Sequence, residues 1–461
     1  MRLLLILLLL LSLPLQAYAR LSGPSEAGQA RSARDLPTIR SSGVLRVLVN
    51  QSRNSSGVVK GQAIGVEHLR LRAFEQFLNR NNTGPNKLTF KIIPMAKDQL
   101  LGALIRGEGD LVAPGELLPT RAGRNVIASK AFQRNVPLVL VSLKGNRHYR
   151  SFEQLAGRSL SLPAGSAVAA VLPTINERLS TQKLPPIIAE WVDPSLAVED
   201  VLEMVQAGIF DRTVVELPIA QRWARVMPKL RVDDHLVFAR DDGIKWFVRP
   251  DSPILRANVD QFVGQYKPPA DQDAAFERVY RRLYRIHSPF GRVERARLAK
   301  VRGVLERHAK RIEVDWLLLA ALAYKESTLN PRAQGAGGPV GLMQITPAAA
   351  RSVGVPKIHD LDSNVQAASN YLAMIRRRYF SSARFNERER LAFMLASYNL
   401  GPDRVQSLRA EARRRGLNPN QWFFQVERVA MDQIGMGVVS YVNAVNKYHL
   451  AYQRERFGLE N

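Results

Sequence analysis

The chain of 461 residues contains no cysteine. That excludes disulfides, a thiol nucleophile and a Cys-based metal site, and it leaves no cysteine to carry a lipid anchor. Acidic residues are few beside basic ones, 41 Asp+Glu against 66 Lys+Arg, giving a formal net charge of +25. A surplus of that size attracts polyanions and anionic surfaces. Beyond the extreme N-terminus no apolar run approaches the roughly 20 residues that span a bilayer. The seven histidines show no ligand spacing such as HxxxH, so no metal and no other cofactor are expected. Basic and aromatic residues do not interleave as in a nucleic-acid surface, and nucleic acid is not an expected partner.

The N-terminus holds the one long apolar stretch. Met1-Arg2 precedes a nearly all-leucine run from Leu3 to Leu13, then Pro14 and Ala-Tyr-Ala at 17–19. A basic start, a core of about 11 apolar residues and a small-x-small end describe a cleavable secretory signal over 1–19. Residues 20–42 are polar, basic and rich in Gly, Ser and Pro, and read as a flexible lead-in. The mature chain is therefore expected outside the cytoplasm, where nucleic acid is scarce.

From Gly43 strand-like segments alternate with helical ones. Val44–Asn50 reads as a strand, the stretch from Gly65 carries helical spacing at Val66, Leu69, Ala73, Phe74 and Phe77, and "VPLVLVSL" reads as a buried strand. The alternation continues to Pro250 and predicts an α/β region over 43–267 with two lobes. Pro268-Pro269 then opens a change to charged helical patterns. Residues 268–461 read as all-α, and two domains suit the length.

Within the helical part, "WLLLAALAYKE" carries a single carboxylate, Glu326, at its end, with Asp315 placed as N-cap. Leu322 and Leu319 lie one and two turns back on the same face. Desolvation there and the negative end of the helix dipole both raise a carboxyl pKa, which suits a general acid. After it come Asn330-Pro331, a glycine-rich stretch and "GLMQI" with Met343 and Gln344; later "ASYNLG" presents Tyr398 and Asn399. The other acids of this part, Glu313, Asp360, Asp362, Glu387, Glu389, Asp403 and Glu427, sit in charged or capping contexts that favour solvation. Only one acid therefore offers itself for catalysis, where ordinary glycosidases need two.

Taken together, "ES…NP…GLMQIT…ASYNLG" resembles the lytic transglycosylases with a goose-type lysozyme fold, over roughly 290–455. The resemblance implies Glu326 as catalytic acid/base. Ser327 would support it, Met343 and Gln344 would line the glycan cleft, Tyr398 would hydrogen-bond the acid and Asn399 would contact substrate. Tyr441 stands in the family's final Tyr-Val segment, with Val438 and Val439 in place of the usual preceding residues. The implied reaction cleaves the β-1,4 bond between N-acetylmuramic acid and N-acetylglucosamine, the muramyl 6-hydroxyl closing to a 1,6-anhydro ring without water.

Region 43–267 resembles extracellular solute-binding proteins of the amino-acid type, through segments such as "LLGALIRGEGDLVAPGELLPTRAGRNV" and "LAGRSLSLPAGSAV". Carried over, Arg124 would clamp a ligand carboxylate with a one-residue offset. Ser166 at a helix start would offer an amide to it, and Glu216 would stand where an aspartate holds an amino group. A solute-binding module followed by a transglycosylase module resembles the membrane-bound, two-module branch of the lytic transglycosylases. That implies peptidoglycan strands as partner, an amino-acid or muropeptide effector, a periplasmic location, and peripheral contact of the basic chain with anionic membrane on the inner face of the outer membrane. The competing reading is a solute or muropeptide receptor whose helical domain only binds glycan, which requires Glu326 to be dispensable. A lysozyme-like hydrolase would share the fold and the acid but needs water and normally a second carboxylate.

Overall fold

The structure is a computed structural model that describes residues 34–460, apart from 54, 56, 64, 83, 85, 86, 119–124, 242 and 282–285. The expected signal over 1–19 and the first part of the lead-in lie outside the described residues. The fold starts earlier than Gly43. Asp35 caps the helix Leu36–Ser42, and its carboxylate also accepts the amides of Ile254 and Leu255 at 2.9 and 2.8 Å. Leu36 and Ile39 are buried. The end of the expected flexible lead-in is thus part of the core, because a short amphipathic turn there was masked by its polar neighbours.

Among the described residues twelve strands follow: β1 (Val44–Asn50), β2 (Val58–Val59), β3 (Gln62–Ala63), β4 (Thr89–Met95), β5 (Leu111–Ala113), β6 (Ile127–Gln133), β7 (Val136–Leu143), β8 (Ser159–Leu162), β9 (Ile188–Trp191), β10 (Arg212–Glu216), β11 (Leu230–Asp241) and β12 (Ile244–Val248). The first lobe is a five-stranded sheet in the order β4-β1-β5-β12-β6, with β1 parallel to β4 and β5 and β12 antiparallel to β5 and β6. The helix Val66–Asn79 supplies the crossover that parallel neighbours require. The second lobe holds β10-β7-β11 and the parallel pair β8-β9. The chain passes between the lobes twice, from β6 to β7 and from β11 to β12. At the return crossing Gly243 has φ +139°, and a Cβ there would lie 2.0 Å from the Gln133 carbonyl oxygen, so no other residue fits.

The rest is helical: Arg292–Arg311, Trp316–Ser327, Leu361–Tyr379, Glu387–Leu400, Pro402–Arg414 and Met436–Arg454 are the principal helices. Trp316–Ser327 is apolar around its whole circumference, with every residue from Trp316 to Tyr324 buried, as a helix in the centre of a bundle must be. Its neighbours are Met436–Arg454 and Arg292–Arg311. The architecture is an α/β bilobal part followed by an all-α part. One hydrophobic cluster runs without interruption from Val139 and Val201 of the second lobe to Val445 and Tyr452 of the last long helix. The change near residue 268 is therefore a change of secondary structure with no gap in packing.

Charge is also buried where the two parts meet. Arg53, in the loop after β1, meets Glu427 through Nε at 3.0 Å, pairs with Asp200 through Nη1, and donates through Nη2 to Asn443 Oδ1 at 3.1 Å. Lys447 lies 2.6 Å from Asp200 and also pairs with Glu203. All of these side chains are buried. Burial works against the Lys447 charge, but Asp200 and Glu203 outweigh it and hold its pKa above the ordinary value. Neutralising one partner leaves the others uncompensated in a dry site. Lys447→Met is expected to destabilise the chain by about 3–5 kcal/mol, read as a lower midpoint in chemical denaturation with helix content retained below the transition.

Candidate functional site

Glu326 occupies the last turn of Trp316–Ser327. Thr328 and Leu329 follow at φ 54° and 59°, left-handed values that only a well-packed surrounding holds in non-glycine residues. The helix ends there, before Asn330-Pro331. Asp315 caps its start, accepting from Leu317 N at 3.1 Å, and is held down to about 2: burial opposes this, and the bond to His449, the Leu317 amide and Arg456 outweigh it. Both ends of the helix are thus fixed.

Burial raises the Glu326 pKa, against the Tyr441 hydroxyl and the Lys325 ammonium, which stabilise the carboxylate. Tyr441 Oη donates directly to Glu326 Oε1. The expected bond from Tyr398 is not the one formed: Tyr398 Oη donates to the Met343 carbonyl at 2.8 Å. Tyr398 lies near enough that Glu326, after burial, keeps its phenol well above the ordinary range, and burial does the same for Tyr441. Both phenols stay protonated and act as donors.

Ser327 joins two walls of the site. Its Oγ donates to Leu342 O at 2.7 Å and accepts from Asn330 N at 3.1 Å, so it fixes backbone. The Met343 side chain is fully buried, and only its backbone turns toward the tyrosines. Gln344, at φ 46°, spends its amide nitrogen on Ala333 O and Gly341 O at 3.1 and 2.9 Å, which pins the glycine-rich stretch. Asn399 is exposed and available to a ligand. One residue with no local signal organises the opposite side. Asn364 accepts Met343 N at 2.9 Å, donates to Val340 O and Ile358 O, and would lie 2.3 Å from a Cβ at Gly341.

The remaining acids are committed elsewhere, though not all to solvent. Asp360 caps Leu361–Tyr379 and Asp362 pairs with Arg307 and His308. Asp403 accepts from Tyr379, and Glu387 pairs with Arg390. Glu389 and Glu427 are buried, contrary to their charged sequence context. Glu389 accepts Trp422 N at 2.7 Å and Phe423 N at 3.2 Å; burial nonetheless pushes it up to about 7. Glu427 accepts Phe424 N at 2.7 Å and holds Arg53. Among the described residues, the groups that shift Glu326 besides its burial are Tyr441 and Lys325, with no second carboxylate. The arrangement is a single, desolvated acid with a phenol donor on it.

Between the lobes lies a cavity of about 70 Å³, lined by Ser55, Arg70, Glu116, Glu199, Arg222 and Phe276 among others. Glu216 accepts Leu117 N at 2.9 Å and lies 3.6 Å from the Lys97 ammonium, which also pairs with Glu116 at 2.8 Å. Its expected ligand amine is thus replaced by a lysine of the chain. The Ser166 amide, expected to face a carboxylate, donates to Pro163 O at 3.1 Å. Arg124 lies outside the described residues. Burial and the neighbouring Asp200 push Glu199, which accepts from Arg53 N, up to about 8.

Residues 304–420 match the transglycosylase SLT domain. A protein of Desulfosudis oleivorans named membrane-bound lytic murein transglycosylase F is 28% identical over 406 residues, 85% of this chain and 83% of that protein. One of the same name from Vibrio cholerae serotype O1 is 29% identical over 403 residues, 84% of this chain and 73% of the relative. Among solved structures, an ancestral arginine-binding protein bound to arginine aligns with TM-score 0.41 and 18% identity, covering 51% of this chain and 97% of its own. The C-terminal region is a transglycosylase SLT domain, and most of the chain is similar to proteins named membrane-bound lytic murein transglycosylase F.

Proposed function

We propose that the chain is an exported peptidoglycan lytic transglycosylase that cleaves between N-acetylmuramic acid and N-acetylglucosamine with Glu326 as its one acid and base. The observation that carries this is the lone, desolvated Glu326 with the Tyr441 hydroxyl on it. In its raised-pKa, protonated form Glu326 donates to the glycosidic oxygen, and the N-acetylglucosamine leaves with that proton. The resulting carboxylate, stabilised by the Tyr441 donor, takes the proton of the muramyl 6-hydroxyl as that oxygen closes on the anomeric carbon. Proton given and proton regained balance, the product is a 1,6-anhydro ring, and no second carboxylate is needed. Asn399 is the exposed group placed to contact the sugar, while Ser327, Gln344 and Tyr398 hold the walls.

The bilobal part serves as the sensor of an amino acid or muropeptide, and its route to the acid is the helix Met436–Arg454. That helix bears Tyr441 on Glu326 and, further along, Asn443 and Lys447 on Arg53, Asp200 and Glu203. Arg53 and Asp200 adjoin Glu199 at the inter-lobe cavity, so an effector that parts the lobes pulls on the same helix. The chain works in the periplasm. No helix among the described residues is long and apolar enough to cross a membrane, and its +25 charge supplies a salt-sensitive, peripheral attachment to anionic surfaces.

Digestion of purified sacculi tests the chemistry. Wild type is expected to release anhydromuramyl products, and Glu326→Gln to lose about 10²–10⁴-fold of that rate; reducing-end products would instead establish a hydrolase, and soluble products from neither protein a binder. Tyr441→Phe removes a donor that favours the ionised acid, so the Glu326 pKa rises and the alkaline limb of kcat/KM moves to higher pH. Unmoved limbs in the variant would refute that role. For the sensor, muropeptides are expected to change the digestion rate of wild type and to lose that effect in Arg70→Ala, at the inter-lobe cavity; equal response in both would sink that assignment.

A further inference from the structure

The sequence offers no pair of histidines at ligand spacing, yet the fold brings His148, Asp233 and His235 together on the second lobe, their ligand atoms all within 4.8 Å of one another. We infer that these three side chains form a binding site for one divalent transition-metal ion of the zinc type, outside the catalytic part of the chain.

The trio is assembled by two deliberate irregularities of backbone. β11 pairs regularly with β7 as far as Asp233, opposite Leu140, and then slips, so that the next pair is Val237 with Val139. A bulge of this kind re-aims side chains, and here it carries His235, just past Asp233, the last residue paired before it. His148 comes from the stretch beyond β7, which Arg231 holds in place: its guanidinium donates to Asn146 O at 2.9 Å, Arg147 O at 2.7 Å and Ser142 Oγ at 2.8 Å. His148 Nε2 then lies 3.1 Å from Asp233 Oδ1, and the two imidazoles meet edge to face with centroids 5.0 Å apart.

The hydrogen bonds around the trio are those that orient metal ligands. His235 Nε2 lies 3.0 Å from the Tyr149 carbonyl and donates to it, which leaves Nδ1 as the ligating atom. A ring nitrogen tied to a backbone carbonyl is the usual support behind a ligating histidine. Asp233 is buried, and Arg231 Nε lies 3.2 Å from its Oδ1, the oxygen that also meets His148, and 3.3 Å from its Oδ2, with Ser142 Oγ 3.5 Å from Oδ2. His148 and His235 are both exposed, so an ion has access. Two imidazoles and one carboxylate suit zinc and its neighbours and do not suit magnesium or calcium, which take oxygen shells. Water would complete the coordination, and the Arg231 charge on Asp233 keeps the affinity below that of a closed structural zinc site. The bound ion would clamp the 146–149 stretch to the bulge in β11.

The test uses the mature chain free of any histidine tag, stripped with a chelator, and titrated with zinc by calorimetry and with cobalt(II) by visible absorption. One ion per chain is expected, with affinity falling at least about tenfold in His148→Ala and in His235→Ala. His359→Ala, an exposed histidine elsewhere, should bind as wild type does. Zinc should raise the thermal midpoint of wild type and leave both site variants unmoved, circular dichroism having shown them folded. Magnesium should produce neither signal. Absence of zinc uptake by wild type, or equal uptake by His148→Ala and His235→Ala, overturns the assignment.

Discussion

Arg53, Asp200, Glu203, Glu427 and Lys447 are charged side chains taken out of water at the place where three stretches of the chain meet. Isolated charges in such a site are prohibitively costly, so each is tolerable only while its partners are in place. The rest of the architecture follows from that constraint. The loop after β1, the second lobe and the helices bearing Glu427 and Lys447 must hold one geometry, and the hydrophobic cluster running from the second lobe to the C-terminal helices locks it. Hydrophobic packing supplies most of the driving force, while the charges set the register in which the pieces meet.

The proposed catalytic acid depends on the same frame. Glu326 sits at the end of a helix that is buried on all sides, and burial raises its pKa before any neighbour acts. Tyr441 limits that rise. The phenol is carried by the helix that also bears Asn443 and Lys447, so the proton affinity of the acid and the seating of the bilobal part share one rigid rod. Strained turns at Thr328, Leu329 and Gln344 complete the site; their cost is borne by the packing of Ser327, Asn364 and Tyr398 around them.

What was legible in the sequence was local. Glu326 showed itself as one carboxylate in an apolar run, Asp315 as the residue before it, and β1 and β7 as short apolar stretches between polar ones. The helix Leu36–Ser42 escaped because seven residues give too little periodicity to stand out from a polar lead-in. Glu389 and Glu427 stand among arginines that suggest solvation, whereas backbone amides and Arg53 receive them in the core. The exchange of Tyr398 for Tyr441 as the donor to Glu326 was not visible at all. Tyr441 is 115 residues from its acid, and no spacing rule reaches across that distance. The same holds for Lys97 across from Glu216, and for His148 beside Asp233 and His235.

The interaction between Arg53 and Asn443 spans 390 residues. Closing so long a loop is slow relative to forming local structure. The helix that closes it is also the one that delivers Tyr441 to Glu326. Order of synthesis then becomes order of activation: however much of the bilobal part has already collapsed, the acid lacks its phenol until residue 441 has arrived. A chain cut short before residue 441 is left with both an unfinished core and an untuned acid, so an enzyme able to breach the cell wall is not assembled from fragments.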